Sequence, residues 1–233
     1  MLEENARPAT PDFAQVSDVF QGIYRRGAWG KGSGGGSKIE LTRGYIEFLM
    51  RAMDALDVRS VVDIGCGDWQ FSQFVDWGDR IYTGVDVDPE LIETNTKRFG
   101  APNIRFRRLD VFKEAPFGDL LICKDVLQHW TIEMVLAFRE ILPNFRYALI
   151  TNCMEPAAKR NIAVDLGRFR PLDVSAAPFN LPVVPVYDFR GPTWHKVVML
   201  WTRESARVVA PGRDGEWARF STRPAAEAAA PTP

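Results

Sequence analysis

Val61-Val62-Asp63-Ile64-Gly65-Cys66-Gly67-Asp68 is the stretch whose reading decides the fold. An apolar run enters a glycine turn, the pattern of a buried strand whose backbone must come close to a ligand. A second apolar run, Ile81-Tyr82-Thr83-Gly84-Val85, ends on Asp86. An acidic strand end about 20 residues after a glycine turn is how a nucleoside is held, with the carboxylate accepting hydrogen bonds from ribose hydroxyls.

The residues after the turn decide which nucleoside. A pyrophosphate site needs a third glycine so that helix and strand pack closely under the phosphates. Asp68, Trp69 and Gln70 stand there instead. A carboxylate and an indole disfavour a pyrophosphate, whereas Asp68 tolerates a cationic ligand bearing a sulfonium and an ammonium, such as S-adenosylmethionine. At this point the chain resembles the class I methyltransferases, whose first motif is Asp-x-Gly-x-Gly, over about Tyr24 to Trp201.

The strand-and-helix rhythm agrees. Helices are predicted over Phe13–Tyr24 and Lys38–Leu56, a short one over Gln70–Trp77, one capped by Asp88-Pro89 and stopped at Gly100, and one from Thr131 to about Glu140. Strands are predicted over Ser60–Ile64, Arg80–Val85, Ile104–Leu109, Asp119–Cys123 and Tyr147–Thr151, and as a closing pair over Val183–Phe189 and Lys196–Thr202. The expectation is an α/β fold: a Rossmann-like, seven-stranded, mostly parallel sheet with helices on both faces and an antiparallel last strand. Three segments are expected: residues 1–37 as an N-terminal segment with a glycine-rich lid, 38–203 as the methyltransferase domain with an irregular insert at about 155–182, and 204–233 as a disordered tail.

Composition narrows the partners. Hydrophobic content of 46% and charged content of 25% are those of a globular protein, and a net charge of -1 gives no basic face for nucleic acid. Arg105, Arg107 and Arg108 read as a solvated strand edge. The three cysteines, Cys66, Cys123 and Cys153, end apolar strand patterns and read as buried fillers in a reducing compartment. No apolar run reaches membrane-spanning length and the N-terminus lacks a signal-peptide pattern, so the expected location is cytoplasmic. A dimer is compatible with the sequence.

The cofactor site assembles from carboxyl ends of strands: Asp63, Gly65 and Gly67 at the first, Asp86 and Val87 at the second, Asp110 and Val111 at the third. Asp68 and Lys124 complete it, and in the class I methyltransferases the third strand end sits near the adenine amino group. The fourth strand end reads Cys123-Lys124-Asp125-Val126-Leu127-Gln128-His129-Trp130, and by the resemblance it faces the transferred methyl. His129 follows Asp125 by four residues, placing both on one face of a helical turn. A histidine suits the base that takes the acceptor's proton, with a carboxylate to orient it. A structural histidine fits the same position, and Asp125 is then the alternative base. Asp125, Asn152 and Glu155 are the residues that would serve a divalent cation, a minority reading.

A narrower resemblance is carried by Tyr24, Trp29-Gly30 and Gly34-Gly35-Gly36-Ser37, by Cys66-Gly67-Asp68-Trp69, by Lys124-Asp125-Val126-Leu127-Gln128-His129, and by Arg170-Pro171-Leu172-Asp173 and Pro178-Phe179-Asn180-Leu181-Pro182. These runs are similar to a methyltransferase group found with glycosyltransferases in bacterial polysaccharide loci. Composition alone reads the glycine run as a linker; the resemblance makes it a cofactor lid carrying Trp29 and Ser37, and makes the 155–182 segment a substrate-side insert. It implies a saccharide or glycolipid-precursor hydroxyl as acceptor. Trp69, Trp130 and Trp194 are of a type that stacks on sugar faces, and Glu155 and His195 join them as expected substrate-side residues. The alternatives are a phenol or amine acceptor of secondary metabolism, and a non-catalytic cofactor-binding module that supports a partner protein.

Overall fold

The computed structural model describes residues 11–30, 32–191 and 194–205. The expected loose start and, beyond Ser205, the expected tail lie outside them. Seven strands form one sheet: β1 (Ser60–Ile64), β2 (Ile81–Asp86), β3 (Ile104–Arg108), β4 (Gly118–Lys124), β5 (Phe145–Cys153), β6 (Val183–Arg190) and β7 (His195–Thr202). Their order is β3-β2-β1-β4-β5-β7-β6. The first five run parallel, while β7 lies antiparallel between β5 and β6.

The α-helices are α1 (Phe13–Arg25), α2 (Ile39–Ala55), α3 (Pro89–Phe99) and α4 (Ile132–Phe138). Neighbouring residues of β1 and β4 point to opposite faces, and both sets are buried, because helices cover both sides. Val62, Ile64, Leu121 and Cys123 pack under α1 and α4, against Phe20, Val135 and Phe138. Val61, Leu120 and Ile122 pack under α2, against Tyr45, Leu49 and Met53, with Ile92 and Phe99 of α3 alongside. Local chemistry sets the helix starts: Asp12, Asp88 and Thr131 each accept a backbone N–H from the first turn of α1, α3 and α4. Arg105, Arg107 and Arg108 lie on the exposed outer strand β3, where charge discourages a second sheet from pairing.

One departure from the expected elements has a local cause. Residues 70–77 form only a 3-10 turn, Ser72–Phe74. The indole N–H of Trp77 donates to the Ser72 carbonyl at 3.1 Å, taking an acceptor that a longer helix needs. Phe74, inside the predicted helix, is 54% exposed. The irregular segment contains only a 3-10 turn at Ala157–Lys159, yet it is firmly packed. Leu172, Val174, Phe179 and Leu181 are buried in the core, and the fully buried Arg170 guanidinium donates to the Trp130 carbonyl at 2.5 Å. Backbone bonds from Gly167 to His129 and from Arg170 to Gln128 tie the segment to the turn after β4. Among the described residues no helix is long and apolar enough to cross a membrane.

Candidate active site

The strand order reverses between β1 and β4, and the main cleft opens there, at the carboxyl edge of the sheet. Its volume is about 330 Å³, within the range of small-molecule sites.

One end gathers the glycine turn and two carboxylates at the strand ends. Gly65 has φ 72°, in the region that favours glycine, and a Cβ there would overlap Val126 Cγ2. The turn is fastened by backbone bonds from Gly65 and Cys66 to the Val85 carbonyl at 2.8 and 3.1 Å. Asp86 accepts from the backbone N–H of Gly67 at 3.0 Å, Val87 at 2.8 Å and Asp88 at 3.1 Å, which fixes its carboxylate at the rim. Asp110 accepts from the Phe112 N–H at 3.1 Å. Asp86, Val87, Asp110 and Val111 all line the cleft, with Leu109 and Phe112 adding apolar wall for a base.

Asp63 supplies a direct test of what the middle of the cleft accepts. It is buried, lines the cleft, and has the Tyr82 hydroxyl as donor at 2.8 Å. Burial pushes its carboxyl up to about 7, against the Tyr82 hydrogen bond and the Lys124 charge, which pull it down. A carboxyl so placed is relieved by an incoming cation, the charge that a methionine-derived ammonium carries.

The glycine run forms an ordered cover. Tyr24 donates to the Ser33 hydroxyl at 2.9 Å, and Ser33 donates through Oγ and backbone N to Asp68 at 2.6 and 3.3 Å. Asp68 N–H returns a bond to Ser33 Oγ at 3.2 Å. Asp68 is thus the clasp of the cover rather than a wall of the cleft, where the sequence had placed it. Gly67 likewise contributes through its backbone bond to Asp86 rather than by lining. Trp29, Gly34–Gly36 and the buried Ser37 line the cleft from the cover side.

The other end holds a cluster of charge. Asp125 has φ 62° and is anchored by a backbone bond to the Thr151 carbonyl at 2.8 Å. Its Oδ2 accepts from Lys124 Nζ at 2.7 Å and also from Lys196 Nζ. The two ammoniums hold Asp125 down to about 2 against the opposing effect of burial. Burial brings Lys124 down to about 8. His129 closes the 3-10 turn Leu127–His129 and is buried, with the Trp29 ring 4.8 Å away. Burial lowers it to about 4, so its imidazole is uncharged at neutral pH.

The expected His129–Asp125 dyad is not formed: the carboxylate is turned to the lysines, and Asp125 acts on His129 only as a nearby charge. A carboxylate held by two ammoniums also has little proton affinity, which removes it as the alternative base. Trp194 and Trp130 line the cleft, although Trp130 is buried and packs on Phe112 and Phe138. Three other substrate-side residues lie elsewhere. Trp69 is 4% exposed in the second core cluster, against Tyr82, Phe99 and Phe106, because its φ of 57° turns the ring under the sheet. His195 pairs with Asp188 at 2.7 Å outside the cleft. Glu155 also lies off the cleft wall. Of the residues considered for a divalent cation, Asp125 is taken by ammoniums, and among the described residues no three His, Cys, Asp or Glu side chains gather as ligands.

Sequence reasoning missed Lys196, Ser33 and Phe169. Lys196 had a visible signal, a single cation opening the apolar strand Lys196-Val197-Val198-Met199-Leu200. Ser33 was hidden in a run that composition reads as linker.

Comparison with known proteins agrees with this geometry. A family model described as a methyltransferase domain matches residues 62–142. No curated protein sequence matches the chain. Magnesium protoporphyrin IX methyltransferase from Synechocystis PCC 6803, with bound SAH, superposes with a TM-score of 0.60 at 14% identity over 82% of this chain and 100% of its own. The DhpI–SAH complex superposes with a TM-score of 0.54 at 13% identity over 80% and 95%. The N-terminal domain of EvdMO1, in the presence of SAH and D-fucose, does so with a TM-score of 0.51 at 12% identity over 67% and 82%. Residues 62–142 are similar to a methyltransferase domain, and the described chain shares the Rossmann-like fold of methyltransferases solved with SAH or SAM bound.

Proposed function

We propose that this chain is an S-adenosylmethionine-dependent O-methyltransferase acting on a sugar hydroxyl of a bacterial saccharide or glycolipid precursor. The observation that carries the reading is the uncharged imidazole of His129 on the cleft wall, at the end of β4 and beneath Trp29. The cofactor, when bound, supplies a methyl group on a sulfonium. Asp86 would hold the ribose, Val87, Asp110 and Val111 the base, and Asp63 the ammonium, with Gly65 passing under the methionine arm. His129 accepts the proton of the acceptor hydroxyl as that oxygen attacks; a group already neutral at pH 7 needs no prior deprotonation. Trp29 and the clasped cover exclude water from the transfer. Trp194 and Phe169, both on the cleft wall, offer apolar faces to a pyranose ring. That EvdMO1 was crystallised in the presence of D-fucose supports a sugar acceptor for this fold.

The test is transfer of a labelled methyl from S-adenosylmethionine by the purified chain to a panel of saccharides and phenols. Incorporation into saccharides is expected. Phenols as the only labelled products would move the chain to the secondary-metabolite reading, and absence of any methyl transfer or cofactor turnover would leave only a binding module.

A further inference from the structure

We infer that the acceptor carries an anionic group, a carboxylate or a phosphate, and that the Lys196 ammonium receives it. The inference rests on the cleft being the site of methyl transfer, and it names the acceptor's charge.

Lys196 is the second residue of β7, opposite Cys153 of β5, and it is only 5% exposed. An ammonium has three N–H donors. Among the described residues, Lys196 Nζ has one acceptor, Asp125 Oδ2, and rests over the Trp194 ring at 4.7 Å. Lys124 differs. Its Nζ gives bonds to Asp125 at 2.7 Å and to the Gly36 carbonyl at 3.1 Å, and lies over the Phe71 ring at 4.9 Å. Lys124 is therefore tied to the cover, while Lys196 has donors to spare and lines the cleft.

The charges at this end do not balance. Two ammoniums share one carboxylate, and His129 beside them is neutral. The next carboxyl, Asp63, is pushed towards its neutral form by burial. Asp86 and Asp110 stand at the nucleoside end. A buried surplus positive charge is unfavourable unless an anion completes it. Gly36 lets the cover come close to the ammonium, since a Cβ there would press on the far end of the Lys196 side chain. Trp194 beneath the ammonium gives the acceptor ring a flat support next to the charge.

The experiment uses matched acceptors that differ in one group: a neutral hexoside, its uronic acid and its 6-phosphate, and a neutral phenol with the corresponding hydroxybenzoate. Wild type, Lys196→Met and Lys196→Arg are compared in kcat/KM on each, and in SAH affinity by calorimetry. The wild type should favour the anionic member roughly 10- to 100-fold, the advantage typical of one well-placed buried charge pair. Lys196→Met should erase that advantage through KM while SAH affinity stays within about twofold, and Lys196→Arg should retain most of it. The uronic acid and phosphate arms tell which anion is meant. Equal use of neutral and anionic members overturns the inference. So does a tenfold loss of SAH affinity in Lys196→Met, which would assign the lysine to the cofactor's carboxylate. If only the phenol pair turns over, the sugar reading fails while the charge preference is still decided within that pair. If nothing turns over, absence of Lys196-dependent binding of these anions to the SAH complex overturns it as well.

Discussion

The indole of Trp29 packs on the imidazole of His129, with ring centroids 4.8 Å apart and planes tilted by 39°. This contact joins the glycine-rich cover to the turn after β4, and it is part of the burial that lowers His129 to about 4. Trp29→Ala should let water reach the ring and move its titration from near 4 towards the ordinary 6.5. With the neutral ring acting as the proposed base, the acid limb of the kcat/KM profile should move to higher pH by the same amount. An unchanged acid limb, with turnover retained, would show that His129 is not the group whose charge limits the reaction.

Replacing the imidazole itself makes a sharper demand. His129→Ala should leave SAH binding intact and lower turnover by roughly two to four orders of magnitude, the range for removal of a general base. The ring also ties stability to pH. Its folded value lies below the unfolded 6.5, so the stability it contributes is present above about 6.5 and lost as pH falls towards 4. The alanine variant should therefore show a flatter unfolding midpoint between pH 6.5 and 4. Turnover equal to wild type would remove the base assignment.

Asp63 titrates in the opposite sense. In the unfolded chain it ionises near 3.8, while in the fold burial holds it to about 7. Between those values the native state keeps a proton that the unfolded state has released, so stability falls as pH rises through that window. A bound ammonium would draw the proton off. Binding of SAH between pH 6 and 7 should thus release a fraction of a proton, measured as a dependence of the calorimetric enthalpy on the buffer's ionisation heat. Asp63→Asn should abolish that dependence. Buffer-independent enthalpy in the wild type would mean the ammonium lies away from Asp63.

The Ser33 clasp predicts a split between binding and folding. Ser33→Ala removes the 2.6 Å donor to Asp68 and the partner of Tyr24, but both groups are near enough to the surface for water to substitute. The unfolding midpoint without ligand should change little, whereas SAH affinity should fall about tenfold as the cover loosens, corresponding to roughly 1.4 kcal/mol. Equal losses in both would make the clasp a general stabiliser.

Much of this was legible from the chain. The bounds of β1 were read to the residue because Val61, Val62 and Ile64 put apolar side chains on both faces and the run ends at a glycine turn. Asp88-Pro89 and Gly100 announced α3 by capping chemistry alone. The convergence of Asp63, Asp86 and Asp110 on one cleft followed because strand ends are fixed by topology once the strands are known. What failed was side-chain direction. Spacing placed Asp125 and His129 on one helical face, but φ 62° at Asp125 turns its carboxylate to two lysines, one of them 71 residues away. Trp69 was read by type, as a sugar platform, and a left-handed backbone sends it under the sheet. Pairings over such separations leave no local pattern.

Gly65 brings backbone and packing demands to one atom. Its φ is 72°, which costs an L-residue about 1–2 kcal/mol, and a Cβ would overlap Val126 Cγ2. Gly65→Ala should therefore destabilise the fold by more than the backbone penalty alone and weaken SAH binding, because the turn that passes under the methionine arm must move. Val126→Ala opens the space without changing φ. The double variant should recover the packing part of the loss and keep the backbone part, a coupling that a double-mutant cycle reads in the unfolding midpoint and in SAH affinity. Full additivity would show that the valine is not what crowds the turn. Wild-type SAH affinity in Gly65→Ala would place the cofactor away from this glycine and dissolve the site built upon it.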